Sequence, residues 1–351
     1  MQRRVVIFDP DRGNPYGREL GALLASNFDV RVLVPVDTEW VPGGIKMHRI
    51  LPANGPANLA HQIALQLCGL GMIARDALLR RSVLVVVLTR SWYDEFALAL
   101  FATMGARLIV VAHDPVPKRP LPRLRQLSRR FLWRRASAVV SHSRQLAAEA
   151  SRASGRHVHS VPHLPFTAYA AWTRAVAPDA KSDSCCRLLV LGHMREDKGL
   201  DRLPAILGLL PSAERSQLSV CFAGRGDCGK VAEAVAPLVT VTRAPADHFL
   251  TDGEIAQELA TSDVLLAPYP VVSASGSVVL ALCRGLRVVA YDTGALADVV
   301  APTGLVPPGE ERAFAEKIAA AAHTQCGGPA RSIPEWKHES LEAWSRIILT
   351  M

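Results

Sequence analysis

Aromatic residues make up only 6% of the 351-residue chain, and no recognisable binding motif accompanies them. That leaves little for base stacking and argues against a nucleic-acid partner. No apolar run reaches the roughly 18 uninterrupted residues of a spanning helix. The greasiest region, Leu59 to Leu79, is broken by His61, Gln62, Gln66, Arg75 and Asp76. The opening residues turn acidic at Asp9, too soon for a secretory signal. The seven cysteines, an odd number without metal-ligand spacing, predict reduced thiols in a cytoplasmic protein rather than disulfides or zinc. A G-x-G-x-x-G fingerprint is missing, so a nicotinamide cofactor is not indicated. No G-x-S-x-G elbow surrounds Ser273 or Ser275, which argues against a hydrolytic serine.

What is present is apolar and basic. Hydrophobic residues reach 49%, ample for buried cores, and the length favours two domains over one. The net charge is +8, unevenly held. Residues 1–176 carry 24 basic and 11 acidic side chains; the remainder carry 16 and 21. The basic half points to a polyanionic partner: nucleic acid, anionic lipid or phosphorylated substrate. Lys118 to Arg135 alone holds eight cations and no acid.

Short β-rich runs alternate with helix-length segments in both halves. Strands are predicted at 4–8, 30–35, 83–88, 107–112, 138–141 and 157–161, then at 187–191, 218–223, 264–267 and 287–290. Nearly all-apolar runs of this kind suit parallel strands buried on both faces. Pro162 to Ser184, rich in Pro, Ala, Ser and Asp, reads as a linker. The expected division is a first domain over 1–165, a linker over 166–186, a second domain over 187–334, and a helix over 335–351 that packs back on the first domain. The fold class is α/β, with two Rossmann-like doubly wound domains facing across a cleft. Ligands in such sheets bind beyond the carboxyl ends of the strands.

Three strand-to-helix loops therefore stand out. The first, Asp9 to Gly17, contains Asn14, Pro15 and Tyr16; it is either an ordinary turn or a place where backbone approaches a ligand. The second runs from Gly192 through His193, Arg195 and Lys198 to Gly199; two cations beside free amides suit a diphosphate, unless Arg195 merely pairs with Glu196 or Asp197. The third places Ser275, Gly276 and Ser277 at a helix start, as a phosphate-binding turn or a simple N-cap.

Gly192 through Gly199, then Asp263 to Tyr269, Ser275-Gly276 and Gly285 to Ala290, resemble the C-terminal domain of GT-B glycosyltransferases of the family 4 type. The resemblance covers nearly the whole chain, including Asn14-Pro15-Tyr16 and the closing Trp344 helix. It implies a glycosyltransferase moving a hexose from a UDP- or GDP-linked sugar to a glycan or polyprenyl-phosphate-linked acceptor. No cofactor and no metal are expected. Donor contacts are expected from Asn14, Tyr16, Gly17, His193, Arg195, Lys198, Gly224, Tyr269, Ser275, Gly276 and Ser277. The paired glutamates usual in that family fall here at Val272 and Leu280, a departure shared with enzymes of the xanthan β-mannosyltransferase type. That leaves retention or inversion open, and also a non-catalytic sugar-nucleotide binder.

Two further sites follow. Asp94 matches the acid after a tryptophan in the xanthan-type pattern, and His113 the histidine after this strand in GT-B enzymes. Each is a candidate general base, or else a helix cap or a satisfied buried group. Near residues 246–254, Asp252 and Glu254 look more like a helix start than a nucleotide contact. The only Asp-x-Asp, Asp9 to Asp11, reads as turn chemistry. The stretch 118–135 predicts a basic amphipathic helix, with Arg123, Arg129, Arg130 and Arg134 facing the anionic inner surface of the plasma membrane, or a core-packed helix with a solvated arginine face.

Overall fold

A computed structural model describes residues 2–11, 13–52, 59–80, 82–115, 120–180, 185–226, 229–243, 248–323 and 326–351. The chain forms two units: residues 1–164 with 334–351, and residues 165–333.

The first unit carries a seven-stranded parallel sheet: β1 (Arg4–Phe8), β2 (Asp29–Pro35), β3 (Lys46–Leu51), β4 (Val83–Val86), β5 (Arg107–Val111), β6 (Ala138–Ser141) and β7 (His159–Ser160). Their order across the sheet is β3-β2-β1-β4-β5-β6-β7, so the direction of winding reverses between β1 and β4. Helices α1 (Tyr16–Leu24), α2 (Leu59–Ala74), α3 (Trp92–Thr103), α4 (Arg123–Arg135) and α5 (Arg144–Ser154) make the crossovers. Ile73, Leu98, Leu132 and Ala150 from α2 to α5 share one core with Val6, Leu84 and Leu108 of the sheet. These four helices thus cover the same face.

The second unit repeats the plan with β8 (Cys186–Leu191), β9 (Leu218–Ala223), β10 (Thr240–Arg243), β11 (Val264–Ala267), β12 (Arg287–Tyr291) and β13 (Leu305–Val306). All pairs are parallel, in the order β10-β9-β8-β11-β12-β13, and the winding reverses between β8 and β11. Its helices are α6 (Thr167–Val176), α7 (Leu203–Gly208), α8 (Ser212–Arg215), α9 (Gly229–Val235), α10 (Asp252–Ala260), α11 (Gly276–Arg284) and α12 (Glu311–His323).

The central strands lie where the apolar runs predict them. Three edge strands, β3, β10 and β13, were not anticipated. An edge strand is half-solvated, so Lys46–Leu51 and Thr240–Arg243 lack the continuous apolar signature. The linker expected over 166–186 is corrected: Thr167–Val176 is a helix. Tyr169, Ala170 and Thr173 make its buried face, the Tyr169 hydroxyl donates to Asp252, and Arg174 Nη2 donates to the carbonyl of Arg284 at 3.1 Å. Flanking Pro, Ser and Asp masked a ten-residue amphipathic segment. The last helix, α13 (Ile333–Thr350), lies almost wholly in the first unit; its Trp336 indole N–H donates to the carbonyl of His163.

Candidate functional site

In the second unit, the loops leaving β8 and β9 touch backbone to backbone. Gly192 (φ +116°) and Gly224 (φ +154°) both adopt glycine-favouring conformations. A Cβ on Gly224 would lie 1.8 Å from the Gly192 carbonyl oxygen, so no side chain fits there. The Met194 amide donates to the carbonyl of Arg225 at 2.7 Å and extends the contact past the strand ends. A single 3-10 turn, Glu196–Lys198, ends at Gly199 (φ +61°). There an added Cβ would lie 2.2 Å from the Pro268 carbonyl oxygen, which ties in the loop after β11.

This turn decides where the two predicted cations go. Lys198 Nζ stands 3.8 Å over the ring of Tyr269, itself only 1% exposed. Lys198 makes no ion pair among the described residues, so its charge is available to a ligand. Arg195 instead clasps Asp197, the structural alternative raised by its sequence neighbours. His193 lies edge-on to Phe249, 5.8 Å between centroids, and Arg225 sits over the same ring at 4.9 Å. Burial lowers the His193 pKa, and Arg195 and Arg225 lower it further, as expected in a positive field.

Ser275 is the N-cap of α11 but its side chain caps no amide; its Oγ meets Ser277 Oγ at 3.0 Å. Among the described residues no side chain caps the first-turn amides around Gly276, at the positive end of a nine-residue helix. The positions of the absent glutamates, Val272 and Leu280, are 6% and 5% exposed and apolar. Glu254 forms a capping box with Thr251 at the start of α10, as the helix-start reading predicts. The Thr251 amide, helped by lesser pulls from Arg243 and His248, brings the Glu254 pKa down to about 2 against the opposing effect of burial. Ala246 and Asp247 lie outside the described residues.

In the first unit the expected donor loop serves itself. Asn14 Oδ1 accepts from the Tyr16 amide at 3.1 Å, and Asp11 Oδ1 from the Gly13 amide at 2.9 Å, which is turn chemistry. Tyr16, expected at the donor, is fully buried, so its ring packs the interior rather than meeting a ligand. Around it stand three histidines, with ring centroids 4.8 Å (His113), 5.0 Å (His142) and 5.4 Å (His163) away. Burial pushes His113 and His163 down to about 4 and His142 well below its ordinary value. His113 Nε2 has no hydrogen-bond partner among the described residues.

Asp94 is the third residue of α3 and closes a capping box with Ser91. Its Oδ2 accepts from the amides of Ser91 (3.1 Å) and Arg90 (3.3 Å), and Gln66 donates to Oδ1. Both oxygens are engaged, which is the cap alternative raised for this residue. Asp9, read from the sequence as turn chemistry, accepts from the Asp11 amide at 3.4 Å. It is fully buried, Gly17 packs directly against its carboxyl, and its Oδ2 has no hydrogen-bond partner among the described residues. Burial pushes it up to about 7 against the pull of Arg18. A readable signal did exist: histidine follows three successive strands, at 113, 142 and 163.

Helix α4 mixes the two readings offered for it. Arg123, Arg130 and Arg134 are exposed, whereas Leu132 and Trp133 enter the core. Arg129 is corrected as a membrane-facing residue: its Nη2 donates to the carbonyl of Asp114 and its guanidinium stacks 4.6 Å over Trp133. Lys118 and Arg119 lie outside the described residues.

Residues 185–323 match the family described as Glycosyl transferases group 1. No curated protein sequence matches the chain. Among solved structures, HepE of Anabaena in complex with UDP and glucose is similar over 99% of both chains, at 16% identity and a TM-score of 0.63. Sucrose-phosphate synthase of Thermosynechococcus elongatus is similar over 100% of this chain and 97% of its own, at 18% identity and a TM-score of 0.65. The lipopolysaccharide outer core galactosyltransferase WaaB is similar over 99% of both, at 11% identity and a TM-score of 0.57. The chain therefore has the GT-B fold, and its second unit is related to the group 1 glycosyl transferases.

Proposed function

We propose that the protein is a glycosyltransferase moving a hexose from a UDP- or GDP-linked sugar to a glycan or polyprenyl-phosphate-linked acceptor. The observation that carries this reading is Lys198, held over Tyr269 without an ion pair among the described residues in the loop after β8, while the N-terminus of α11 follows the neighbouring strand β11. The solved structure of HepE with UDP and glucose supports a UDP-linked donor as the first to try. His193, Arg195, Gly224 and Ser275–Ser277 complete the proposed donor site.

Transfer forms a bond from the acceptor oxygen to the anomeric carbon and breaks the bond from that carbon to the phosphate oxygen. The electron pair leaves with the nucleoside diphosphate. Lys198 and the helix-end amides hold the charge that builds on that oxygen more tightly than they hold the intact donor, which is where rate arises. In this reading protein cations occupy the place of a divalent ion. His113 is the proposed acceptor of the hydroxyl proton, a neutral imidazole with an unpartnered Nε2. Asp94 positions the loop before α3 through its cap. The exposed arginines of α4 suit a peripheral seat on the cytoplasmic face of the plasma membrane, where a lipid-linked acceptor would be met.

The competing reading is a sugar-nucleotide binder without turnover, favoured by Val272 and Leu280 in place of glutamates. A thermal-shift screen against UDP, GDP, TDP and ADP sugars, followed by a transfer assay with the stabilising donor, decides between them. A selective shift with turnover supports transfer; a shift without turnover across acceptors supports the binder; no shift sinks both.

A further inference from the structure

Segment Ala60–Leu79 is helical, has a mean hydropathy of 1.2, and is only 22% buried. It is the one helix among the described residues long and apolar enough to cross a membrane. It is nevertheless tied to the sheet: Ile73 and Ala77 belong to the core, and Gly69 lies so close to Leu51 that a Cβ would clash. Crossing a bilayer would mean opening that core. A helix held along one side and apolar on the other lies flat.

Its neighbours extend the same surface. Gln66 of α2 donates to Asp94 of α3, and Phe96 of α3 packs on Phe131 of α4 at 5.7 Å. Trp92, Phe96, Leu100 and Met104 recur every fourth residue along α3 and its cap, and all are exposed, Met104 to 61%. On α2, Leu67 is 63% exposed. Charge on this face has one sign. Every carboxylate of the three helices and the turn after α2, namely Asp76, Asp94 and Glu95, is 2% exposed. Arg123, Arg130 and Arg134 are exposed and make no ion pair among the described residues, whereas Arg75 and Arg80 are exposed but pair with Asp76. A second copy would bring like charges together, whereas an anionic bilayer offers both an apolar layer and the complementary charge.

We propose that the outer faces of α2 and α3 seat in the interface of an anionic lipid bilayer, with the α4 arginines gripping headgroups. This deepens the membrane part of the function proposed above and names its inserting elements.

The test uses the full chain with phosphatidylcholine vesicles, with and without phosphatidylglycerol. Binding to the anionic vesicles is expected, with quenching of tryptophan emission by brominated lipid that Trp92→Phe largely removes. Leu67→Glu with Leu100→Glu should abolish binding even at low salt. Arg123→Ser, Arg130→Ser and Arg134→Ser together should weaken it about a hundredfold, each cation near the surface contributing roughly fivefold. Binding of the double glutamate variant at the wild-type level would overturn the proposal. So would a lipid-free dimer that this variant dissociates, since a second copy would then own the face. The sugar-nucleotide thermal shift, measured on the same proteins, reports folding and the donor site independently of lipid.

Discussion

Arg195 grips Asp197 through two parallel contacts, Nε to Oδ1 and Nη2 to Oδ2, both 2.9 Å. A cation that sequence spacing assigns to a diphosphate spends its charge on its neighbour, while Lys198, three residues on, keeps its own over an aromatic face. The two predicted phosphate ligands are therefore unequal.

That inequality ranks their substitutions. Lys198→Ala should lower turnover about 10²–10³-fold, the scale of one preorganised charge-stabilising group. Asp197→Asn should tighten nucleoside-diphosphate binding by about 1 kcal/mol, roughly fivefold at low salt, by releasing Arg195 and removing a nearby negative charge. Calorimetric titration of UDP into both variants checks the order; weaker binding by Asp197→Asn would mean that the carboxylate positions the arginine for its ligand.

Gly224→Ala should do more damage than an ordinary loop substitution. The new methyl meets a backbone carbonyl at 1.8 Å, and φ +154° is itself strained for any L side chain. A loss of about 2 kcal/mol or more in denaturant unfolding, together with loss of the sugar-nucleotide shift, is expected. Gly43→Ala, where an added Cβ meets nothing within 4 Å, is the matched control and should cost little.

The roles of Asp94 and His113 separate experimentally. If Asp94 is a cap, Asp94→Asn costs about 1 kcal/mol of stability and alters transfer only a few-fold. His113→Gln should leave melting nearly unchanged and cut turnover about 10²-fold or more, the span of general-base catalysis. A pH–rate profile of both variants shows which residue sets the acid limb; equal and small effects would remove His113 from the chemistry.

Acid should loosen the first unit before it reaches ordinary carboxylates. His113 and His163 titrate low when folded, so their contribution is present above about 6.5 and is lost as pH falls through about 4; His142, whose pKa burial also lowers, acts in the same direction. Asp9, pushed up to about 7, works in the opposite sense: its contribution is full below the unfolded value near 3.9 and is lost as pH rises through about 7. Between these limits three histidines outweigh one aspartate, so stability rises with pH. His142→Gln should roughly halve that slope. Melts from acid to neutral pH measure it; an unchanged slope would mean that His142 titrates at its ordinary value in the folded chain.

Much of the fold was readable. Strands such as Val83–Val86 and Val264–Ala267 are buried on both faces and must be apolar throughout, so composition exposes them. Helix α6 was not, because its buried face is three small or polar-tipped residues set among linker-like neighbours. The loop glycines announced a site, but Lys198 and Arg195 look alike on paper. The histidines around Tyr16 are separated by tens of residues and meet only because three parallel strands end side by side.

The sequence by itself determined the two doubly wound units, because periodicity and burial are local properties of each segment. It also determined the basic cast of the first half, since charge needs no geometry to be counted. Only the tertiary structure decided which charges remain available. Arg129 is taken by Trp133 and a carbonyl, Arg195 by Asp197, and the acids of α3 and of the turn after α2 are buried. The reason is physical: a side chain's charge is given by its type, but its partners are set by packing between segments far apart in the chain.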